Sequence, residues 1–325
     1  MPKARVVLFT AWSGEPLALT LSQAPPDMEV AVAASTLSEG EKARLCREAD
    51  AVLCVPANLK AEALRGSRVR LVQTLSAGYD QLDVRGIAAL GIPMANIGGA
   101  NAPAVAEHTL GLMLALYRRL HLQWLSATRE RRWRGDLVGT DFREIRGKTV
   151  GIIGFGRIGR RVAQCLLGFE CAILYHDVIP APLEVEMALR ARRASLEDLL
   201  RAADIVTLHT PLTAQTRGLL GERALSLMKP TAVVINTSRG PVVDEKALYQ
   251  ALREGRIAGA GLDVLEVEPT PAENPLLSLP NVVVTPHMAG LTYEAVVEGA
   301  RFAFDNVRRV LSGQPPLSPL LPEPA

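Results

Sequence analysis

Short apolar runs rich in β-branched residues alternate with amphipathic stretches over the first hundred residues. The runs that predict strands cover residues 5–10, 28–33, 51–55, 69–75 and 92–95. Between the second and third runs, Ser38 and Glu41 have the spacing of a capping box, which predicts a helix that begins there and ends at Ala49. Strands that alternate with helices predict a parallel sheet covered by helices on both faces, and therefore an α/β fold.

The same alternation resumes at Thr149 and continues almost to the carboxyl terminus. Strands are predicted at residues 149–153, in a run that ends at Asp177, and at residues 204–209, 231–237, 257–264 and 281–285. Helices are predicted at residues 195–203, 244–254 and 292–311. Ser195 and Asp244 open the first two of these helices, because their side chains are good N-caps. The five prolines of residues 314–325 predict an irregular tail.

Residues 102–120 lie between the two alternating regions and predict one long helix. Pro103 suits the first turn of a helix. Apolar residues occupy nearly the whole circumference, as in a helix buried between two domains. His108 lies in this helix, and we interpret it as a packed core histidine rather than a catalytic one.

A basic stretch follows at residues 120–146. Trp133 and four arginines alternate with acidic residues there: Arg129, Glu130, Arg131, Arg132, Arg134, Asp136 and Asp141. Basic residues beside an aromatic ring can indicate nucleic-acid binding. Because carboxylates are interleaved, we interpret this stretch as a solvated linker or a subunit contact.

Gly154, Gly156 and Gly159 separate a predicted strand from a helix predicted over residues 160–167. In this context a GxGxxG spacing permits a tight turn, close approach of a pyrophosphate and close packing of the helix on the strand. Asp177 lies 18 residues beyond the last glycine. Its carboxylate is placed to bind ribose hydroxyls and would repel a 2′-phosphate, which predicts NAD rather than NADP. The alternative is a glycine-rich turn in an ordinary α/β domain.

The composition narrows the class of protein further. A chain of 325 residues suits about two domains, and 48% hydrophobic residues can fill sizeable cores. The net charge of +2 indicates neither nucleic acid nor membrane as a partner, and the longest apolar stretch, residues 110–117, is too short to span a bilayer. No cleavage site follows the apolar N-terminal run, and the four cysteines lack metal-ligand spacing. We therefore expect reduced thiols, no metal site and a cytoplasmic location.

Three polar residues follow predicted strands of the second half: Arg239, Glu268 and His287. Histidine suits a proton donor near neutral pH, and a carboxylate beside it would raise its pKa and fix its tautomer. Arginine can bind a substrate carboxylate through two hydrogen bonds. Each also has an ordinary alternative: a helix-capping arginine, a solvated glutamate, a histidine in a turn. In the first half, residues 76–78 follow a strand and either offer consecutive amides to a small anion or form an ordinary turn.

From about Val69 onward the chain resembles the D-isomer-specific 2-hydroxyacid dehydrogenases. The matching stretches, in family order, are LSAGYDQLD, NAPAVAEHTLGLMLAL, IRGKTVGIIGFGRIG, LHTPLTAQTRGLL, INTSRGPVVDEKALYQAL, GLDVLEVEP and TPHMAG. The resemblance implies two doubly wound parallel-sheet domains. A Rossmann NAD-binding domain, residues 100–290, is inserted in a flavodoxin-like substrate-binding domain, residues 1–99 and 291–325. It also implies a small-molecule substrate and a homodimer.

The resemblance implies a role for each site residue as well. Arg239 binds and orients the substrate, Glu268 partners the histidine, and His287 is the proton donor. The amides of Ser76, Ala77 and Gly78 hold the substrate carboxylate. The implied cofactor-binding residues are Gly154, Gly156, Arg157, Ile158, Gly159, Asp177, Thr210, Pro211, Thr237, Ser238, Asp263 on the nicotinamide carboxamide side, and Gly290.

The implied reaction is the NAD-dependent interconversion of a small D-2-hydroxy acid and its 2-oxo acid, as in glyoxylate/hydroxypyruvate reductases. Glu268 argues against formate dehydrogenases, which pair the histidine with glutamine. Residues 56–58 lack an arginine for a phosphorylated substrate. Ala289 departs from the glycine that many members have there, a change the site should tolerate. The alternatives are a D-3-phosphoglycerate dehydrogenase, a phosphite-oxidising enzyme and a non-catalytic NAD(H)-sensing protein of the co-repressor type.

Overall fold

The structure is a computed structural model that describes residues 3–133 and 142–322. The chain divides into two compact units, the first from residues 1–101 and 291–325 and the second from residues 102–290. The described strands are β1 (Ala4–Thr10), β2 (Met28–Ala34), β3 (Ala51–Val55), β4 (Val72–Thr74), β5 (Met94–Ala95), β6 (Thr149–Ile153), β7 (Ala172–His176), β8 (Ala191–Arg193), β9 (Ile205–Leu208), β10 (Val233–Asn236), β11 (Gly259–Leu262) and β12 (Val282–Val284). The described α-helices are α1 (Gly14–Ser22), α2 (Glu39–Cys46), α3 (Val84–Ala89), α4 (Ala102–Tyr117), α5 (Leu120–Thr128), α6 (Arg157–Leu166), α7 (Leu183–Leu189), α8 (Leu196–Ala202), α9 (Glu222–Ser226), α10 (Glu245–Arg253) and α11 (Tyr293–Leu311). Short 3₁₀ turns occupy Ala61–Leu64, Leu167–Phe169, Gly240–Val242 and Pro275–Ser278.

The first unit is built on a parallel sheet with strand order β2-β1-β3-β4-β5. This is the flavodoxin-like order, in which the direction of strand addition reverses between β1 and β3. Successive residues of β1 face opposite sides, so that Val6 and Leu8 join one core cluster and Val7 and Phe9 another. Helix α11 completes the first cluster with buried residues such as Phe304. The two ends of the chain therefore share one core.

The second unit is built on a parallel sheet with strand order β12-β11-β10-β9-β6-β7-β8. The chain enters the sheet at β6 and adds β7 and β8 on one side of it. It then crosses to the other side of β6, where it adds β9, β10, β11 and β12 in turn. The order thus reverses between β6 and β9, which is where doubly wound sheets bind their ligands. Apolar clusters cover both faces of the sheet. The predicted α/β fold with two doubly wound parallel sheets is confirmed.

The long helix predicted over residues 102–120 is wrong in one respect, because two helices occupy this region. Helix α4 ends at Tyr117, and Arg119 adopts a left-handed backbone conformation with φ of 47° before α5 begins. The Arg119 amide donates to the carbonyl of Leu116, which closes the last turn of α4. Neither glycine nor proline marks this break in the sequence.

The basic stretch belongs to the second unit and the tail to the first. Residues 120–128 of the basic stretch form α5, and Arg134, Asp136 and Asp141 lie outside the described residues. The interpretation of the stretch as a solvated linker or a subunit contact stays a prediction. Residues 314–322 of the tail are irregular, as predicted, and Pro319 forms an isolated antiparallel bridge with Ala95. Among the described residues, no helix combines the length and the apolar character needed to cross a lipid bilayer.

Local capping signals are reproduced where they were predicted. Ser38 and Glu41 form both hydrogen bonds of a capping box, although α2 ends at Cys46 rather than at Ala49. The side chains of Ser195 and Asp244 accept hydrogen bonds from backbone amides in the first turns of α8 and α10. Elements with weak patterns, such as α7 and the three-residue strand β8, escaped prediction.

Candidate active site

The glycine turn after β6 has no room for side chains at two of its three positions. Gly154 has a φ of 91°, and a Cβ there would lie 2.6 Å from the carbonyl carbon of His209. A Cβ on Gly159 would lie 2.1 Å from the carbonyl oxygen of Gly154. Around Gly156, in contrast, a Cβ would meet nothing within 4 Å. The turn is therefore tight on its protein side and open at Gly156, which is the N-cap of α6.

This geometry fits the pyrophosphate of a dinucleotide. Helix α6 begins at Arg157, with Ile158 next in its first turn, and so the amides of this turn and the positive end of the helix dipole adjoin the open space at Gly156. The end of β6 also flanks the position where the strand order reverses.

Asp177 follows β7, next to this turn. Its Oδ2 atom accepts a hydrogen bond from the amide of Phe155 at 2.6 Å, and its Oδ1 atom accepts one from the amide of Ile179 at 3.0 Å. Each carboxylate oxygen retains a lone pair for a further donor. The half-buried Asp177 therefore braces the glycine turn and keeps capacity for ribose hydroxyls.

Two polar atoms at the end of β9 have no hydrogen-bond partner within the described chain. They are Nδ1 of His209 and Oγ1 of Thr210, and both are buried. Burial lowers the pKa of His209 to about 3, so the imidazole is neutral, and its Nε2 lies 2.9 Å from Oγ1 of Thr207. Buried polar atoms normally have partners. Because His209 lies against Gly154, the two orphaned atoms fit a ligand in the turn.

His209 is a residue that sequence reasoning missed. The sequence feature that could have identified it is its position in the LHTP stretch. There it directly precedes Thr210 and Pro211, which were predicted to line the cofactor. Pro211 continues the loop, and its carbonyl accepts a hydrogen bond from Thr216 Oγ1 at 2.6 Å.

The loop after β10 turns two predicted cofactor ligands inward. Thr237 and Ser238 are buried, and their hydroxyls contact Oγ1 of Thr109 at 2.9 Å and Oδ1 of Asn236 at 2.8 Å. Their side chains therefore hold the loop in place, and the amide of Ser238 also donates to Oδ1 of Asn236, at 3.0 Å. Arg239 comes next, and its Nη1 donates to the carbonyl of Ser238 at 2.8 Å.

The loops after β10 and β11 pass very close to each other. A Cβ on Gly240 would lie 1.9 Å from the carbonyl oxygen of Leu265, so only glycine fits there. This approach brings Arg239 toward Glu268. The positive charge of Arg239 acts on both groups: it helps to lower the pKa of Glu268, and it opposes the rise in the pKa of His287. The structure thus brings the three predicted catalytic residues together in one unit.

His287 and Glu268 form a short, direct contact. Nδ1 of His287 lies 2.6 Å from Oε2 of Glu268, and Oε1 of Glu268 accepts a hydrogen bond from the amide of Leu265 at 2.9 Å. The hydrogen bond to Glu268 raises the pKa of His287 above its usual value, although partial burial acts to lower it. For Glu268, burial acts to raise the pKa, but the hydrogen bonds from His287 and Leu265 keep it below its usual value. A carboxylate and an imidazolium are therefore stable side by side.

Asp263 holds the backbone around His287. It follows β11, and its side chain is 1% exposed. Its Oδ1 and Oδ2 atoms accept hydrogen bonds from the amides of Met288 and Ala289, both at 2.9 Å, and its carbonyl accepts one from the His287 amide at 2.8 Å. Oδ2 keeps a lone pair for a carboxamide. Gly290, the last residue of the unit, directly follows this loop.

The predicted anion-binding turn belongs to the first unit and follows β4. Each of its three carbonyls accepts a hydrogen bond from a side chain. The Ser76 carbonyl accepts from Oγ1 of Thr74 at 2.7 Å, and the Gly78 carbonyl accepts from Oγ of Ser76 at 2.7 Å. The Ala77 carbonyl accepts from Nδ2 of Asn96 at 3.1 Å. Among the residues that the structure describes, no acceptor is hydrogen-bonded to the amides of residues 76–78. A turn with fixed carbonyls and open amides suits an anion such as a carboxylate.

No group of three or more histidine, cysteine or acidic side chains in residues 3–133 and 142–322 is arranged to hold a metal ion. The second unit instead combines a doubly wound sheet, a phosphate-binding turn with an acidic residue beyond it, and a histidine–carboxylate pair beside an arginine. Together these features define a dinucleotide-dependent oxidoreductase.

Comparison with known proteins identifies the family. The sequence model of the D-isomer specific 2-hydroxyacid dehydrogenase NAD-binding domain matches residues 110–289. A glyoxylate reductase of Thermofilum pendens is 40% identical over 287 residues, which is 86% of this chain and 83% of that protein. A glyoxylate/hydroxypyruvate reductase B of Pectobacterium atrosepticum is 40% identical over 250 residues, 76% of this chain and 77% of its own.

A solved structure supports the same assignment over nearly the whole chain. The chain is similar to the holo D-mandelate dehydrogenase of Rhodotorula graminis, with a TM-score of 0.87 and 30% sequence identity. The match covers 98% of each chain. The protein belongs to the D-isomer-specific 2-hydroxyacid dehydrogenase family. It is an NAD-dependent oxidoreductase of D-2-hydroxy acids, as the motifs in the sequence predicted.

Proposed function

We propose that the protein reduces a small 2-oxo acid, glyoxylate or hydroxypyruvate, to the D-2-hydroxy acid with NADH and catalyses the reverse reaction as well. The observation that carries this proposal is the 2.6 Å contact between His287 and Glu268 beside Arg239. The relatives from Thermofilum and Pectobacterium, named for these two substrates, support the choice of acid. NADH, when bound, supplies the hydride.

His287 is the proton donor in this reaction. Its Nδ1 is engaged by Glu268, so in the imidazolium form the hydrogen on Nε2 is left to protonate the carbonyl oxygen of the substrate. Glu268 stabilises the imidazolium and fixes the ring orientation, as a buried carboxylate does for other catalytic histidines. In the oxidative direction the neutral imidazole accepts the hydroxyl proton on the same atom.

Arg239 and the turn at residues 76–78 bind the substrate. The guanidinium offers paired donors for the carboxylate and polarises the adjacent carbonyl. In the first unit, the amides of Ser76, Ala77 and Gly78 are the groups that we propose to bind a carboxylate of the substrate. On this proposal the first unit, predicted as residues 1–99 and 291–325, carries substrate-binding groups.

The cofactor is bound by the second unit, predicted as residues 100–290. Gly154, Gly156, Arg157, Ile158 and Gly159 surround the pyrophosphate, and Asp177 binds the adenosine ribose. Backbone groups of Thr210, Pro211, Thr237, Ser238 and Gly290 line the remainder, and Asp263 accepts from the nicotinamide carboxamide.

The central test replaces the proton donor. We expect His287→Gln to lower kcat for glyoxylate and hydroxypyruvate reduction by at least about a hundredfold, since general acid catalysis contributes that much or more. The Kd of NADH, measured by fluorescence titration, should change little. The matched control is His121→Gln, a histidine on α5 with no part in the proposed chemistry. Wild-type rates in His287→Gln would show that another group donates the proton.

A panel of about ten 2-oxo acids, assayed with the wild-type protein, tests the substrate. We expect the highest kcat/KM for glyoxylate or hydroxypyruvate, whereas a preference for 3-phosphohydroxypyruvate would indicate a phosphoglycerate dehydrogenase. NADH binding without turnover of any acid would indicate the sensing alternative. We further propose a homodimer in the cytoplasm, which sedimentation equilibrium and cell fractionation test separately.

A further inference from the structure

One titratable side chain touches the candidate active site and has no part in the reaction described above. His108 lies on α4, 177 residues before Thr285, yet its Nε2 is 2.8 Å from Oγ1 of Thr285. The same nitrogen is 3.4 Å from Oδ1 of Asp263, and the imidazole is 26% exposed. His108 is therefore more than a packed core residue, because it reaches the loop that carries His287.

The hydrogen bonds determine which nitrogen of His108 carries the proton. Oγ1 of Thr285 lies 2.6 Å from Oδ1 of Asp263, and because an ionised carboxylate only accepts, the hydroxyl donates its single hydrogen there. The hydroxyl can then only accept from His108. This places a hydrogen on Nε2 of His108, in the neutral and in the charged imidazole alike.

Asp263 links this chain of hydrogen bonds to the backbone of the loop. The carboxylate receives the amides of Met288 and Ala289 on one side and the Thr285 hydroxyl on the other. Between them, His287 has a left-handed φ of 55°, a conformation that is strained for a non-glycine residue. Such a conformation persists only where the surroundings over-determine it.

We propose that His108 is a positioning residue for His287. By donating to Thr285 it fixes the rotamer of that hydroxyl, which orients the Asp263 carboxylate, and the carboxylate in turn holds residues 287–289 so that His287 stays in contact with Glu268. His108 itself touches neither substrate nor the reacting atoms. The assignment rests on the proposed function of His287.

The test compares two replacements of His108. His108→Gln keeps an amide donor near the position of Nε2, whereas His108→Leu removes the donor at similar volume. We expect His108→Leu to lower kcat for glyoxylate reduction about tenfold, because small displacements of catalytic groups are costly, with the Kd of NADH within about twofold of wild type. His108→Gln should recover most of the lost kcat. Glu107→Gln, an exposed neighbour on α4, is the matched control and should behave as wild type.

A second readout needs no turnover. Imidazole NMR titration of the protein without substrate follows its five histidines, and the His287→Gln spectrum assigns the signal of His287. In His108→Leu the loop should loosen, contact with Glu268 should weaken, and the pKa of His287 should fall toward its usual value. His108→Gln should retain the raised pKa.

A double-mutant cycle tests whether His108 acts through Thr285. The kcat losses of His108→Leu and Thr285→Val should overlap, so that the double variant is about as impaired as the worse single variant. If the kcat loss of the double variant equals the product of the two single losses, the proposal is overturned. Equal kcat losses in His108→Leu and His108→Gln would overturn it too, as would an unchanged pKa of His287 in His108→Leu. A wild-type protein without any turnover contradicts the proposed function instead, and the titration still decides the role of His108.

Discussion

The contact between His287 and Glu268 sets the protonation state on which the proposed reaction depends. The pair is partly exposed, with half of the imidazole and about a third of the carboxylate accessible, so solvent reaches both groups. Within this setting the hydrogen bond from Nδ1 is the largest cause of the raised pKa of His287. Proton donation therefore extends to a higher pH than an isolated histidine would allow.

Replacing Glu268 tests this coupling. In Glu268→Gln the hydrogen bond no longer involves a charge, so the pKa of His287 should fall. Reduction requires the imidazolium, and its rate declines as pH rises through that pKa, so the decline should begin at a lower pH in the variant. The ratio of wild-type to variant kcat/KM should grow as pH increases. Parallel pH profiles would show that Glu268 does not control the protonation of His287.

We propose that the carboxylate of Asp177 determines the choice between NAD and NADP. Asp177→Ala should narrow the preference for NADH over NADPH roughly tenfold, equivalent to about 1.4 kcal/mol, because the charge that repels a 2′-phosphate is gone. Asp177→Asn separates charge from volume, since it keeps the size of the side chain. Fluorescence titration with each cofactor gives the two Kd values. A preference that survives in both variants would assign the discrimination to other groups.

At the scale of elements, the glycine turn of β6 and α6 divides into packing and binding positions. Gly154 and Gly159 are surrounded by backbone atoms that cannot move aside, whereas Gly156 borders open space. The strand–turn–helix unit therefore needs two glycines in order to fold, and we propose that the third, Gly156, admits a phosphate.

Two alanine variants separate these roles. Gly159→Ala should lower the thermal midpoint by several degrees, because its Cβ would clash with the carbonyl oxygen of Gly154. Gly156→Ala should melt close to wild type and yet weaken NADH binding by about tenfold or more, since the methyl group would occupy the phosphate space. Calorimetry and NADH titration measure the two effects. Equal NADH affinity in Gly156→Ala and wild type would contradict the placement of the pyrophosphate.

At the scale of the whole molecule, the first unit depends on both ends of the chain. Helix α11 contributes fully buried residues, including Ala303, Phe304 and Val307, to the core of a sheet whose strands all precede residue 96. Asn306, also buried, donates to Gln73 Oε1 at 2.8 Å and to the carbonyl of Leu317 at 2.9 Å. The second unit, in contrast, is one continuous segment.

Fragments of the chain test this dependence. We expect residues 1–101 alone to remain unfolded, because one face of the sheet would lose its apolar cover. Residues 102–290 should fold and bind NADH without turnover, since the substrate-binding turn is missing. Circular dichroism and NADH titration distinguish these outcomes. A cooperatively folded 1–101 fragment would show that α11 is dispensable for that core.

The sequence by itself determined the features that arise from neighbouring residues. Caps such as Ser38, Ser195 and Asp244 act within a single helical turn, and the glycine turn with its strand and helix spans about twenty residues. Alternating strands and helices specify an α/β fold, because the spacing of the apolar residues in each segment favours either a strand or a helix. The three residues proposed for catalysis, and the pairing of Glu268 with His287, could be named from short motifs that resemble a family, although the atoms and distances of their contacts could not.

Only the tertiary structure decided the features that join distant residues. The break at Arg119 has no local marker, and the pairing of Pro319 with Ala95 exists because α11 returns the chain to the first sheet. The orphaned atoms beside Gly154 follow from the adjacency of β6 and β9. Likewise, His108 meets Thr285 across 177 residues because α4 packs beside the sheet. Such contacts depend on strand order and helix packing, which no short stretch of sequence contains.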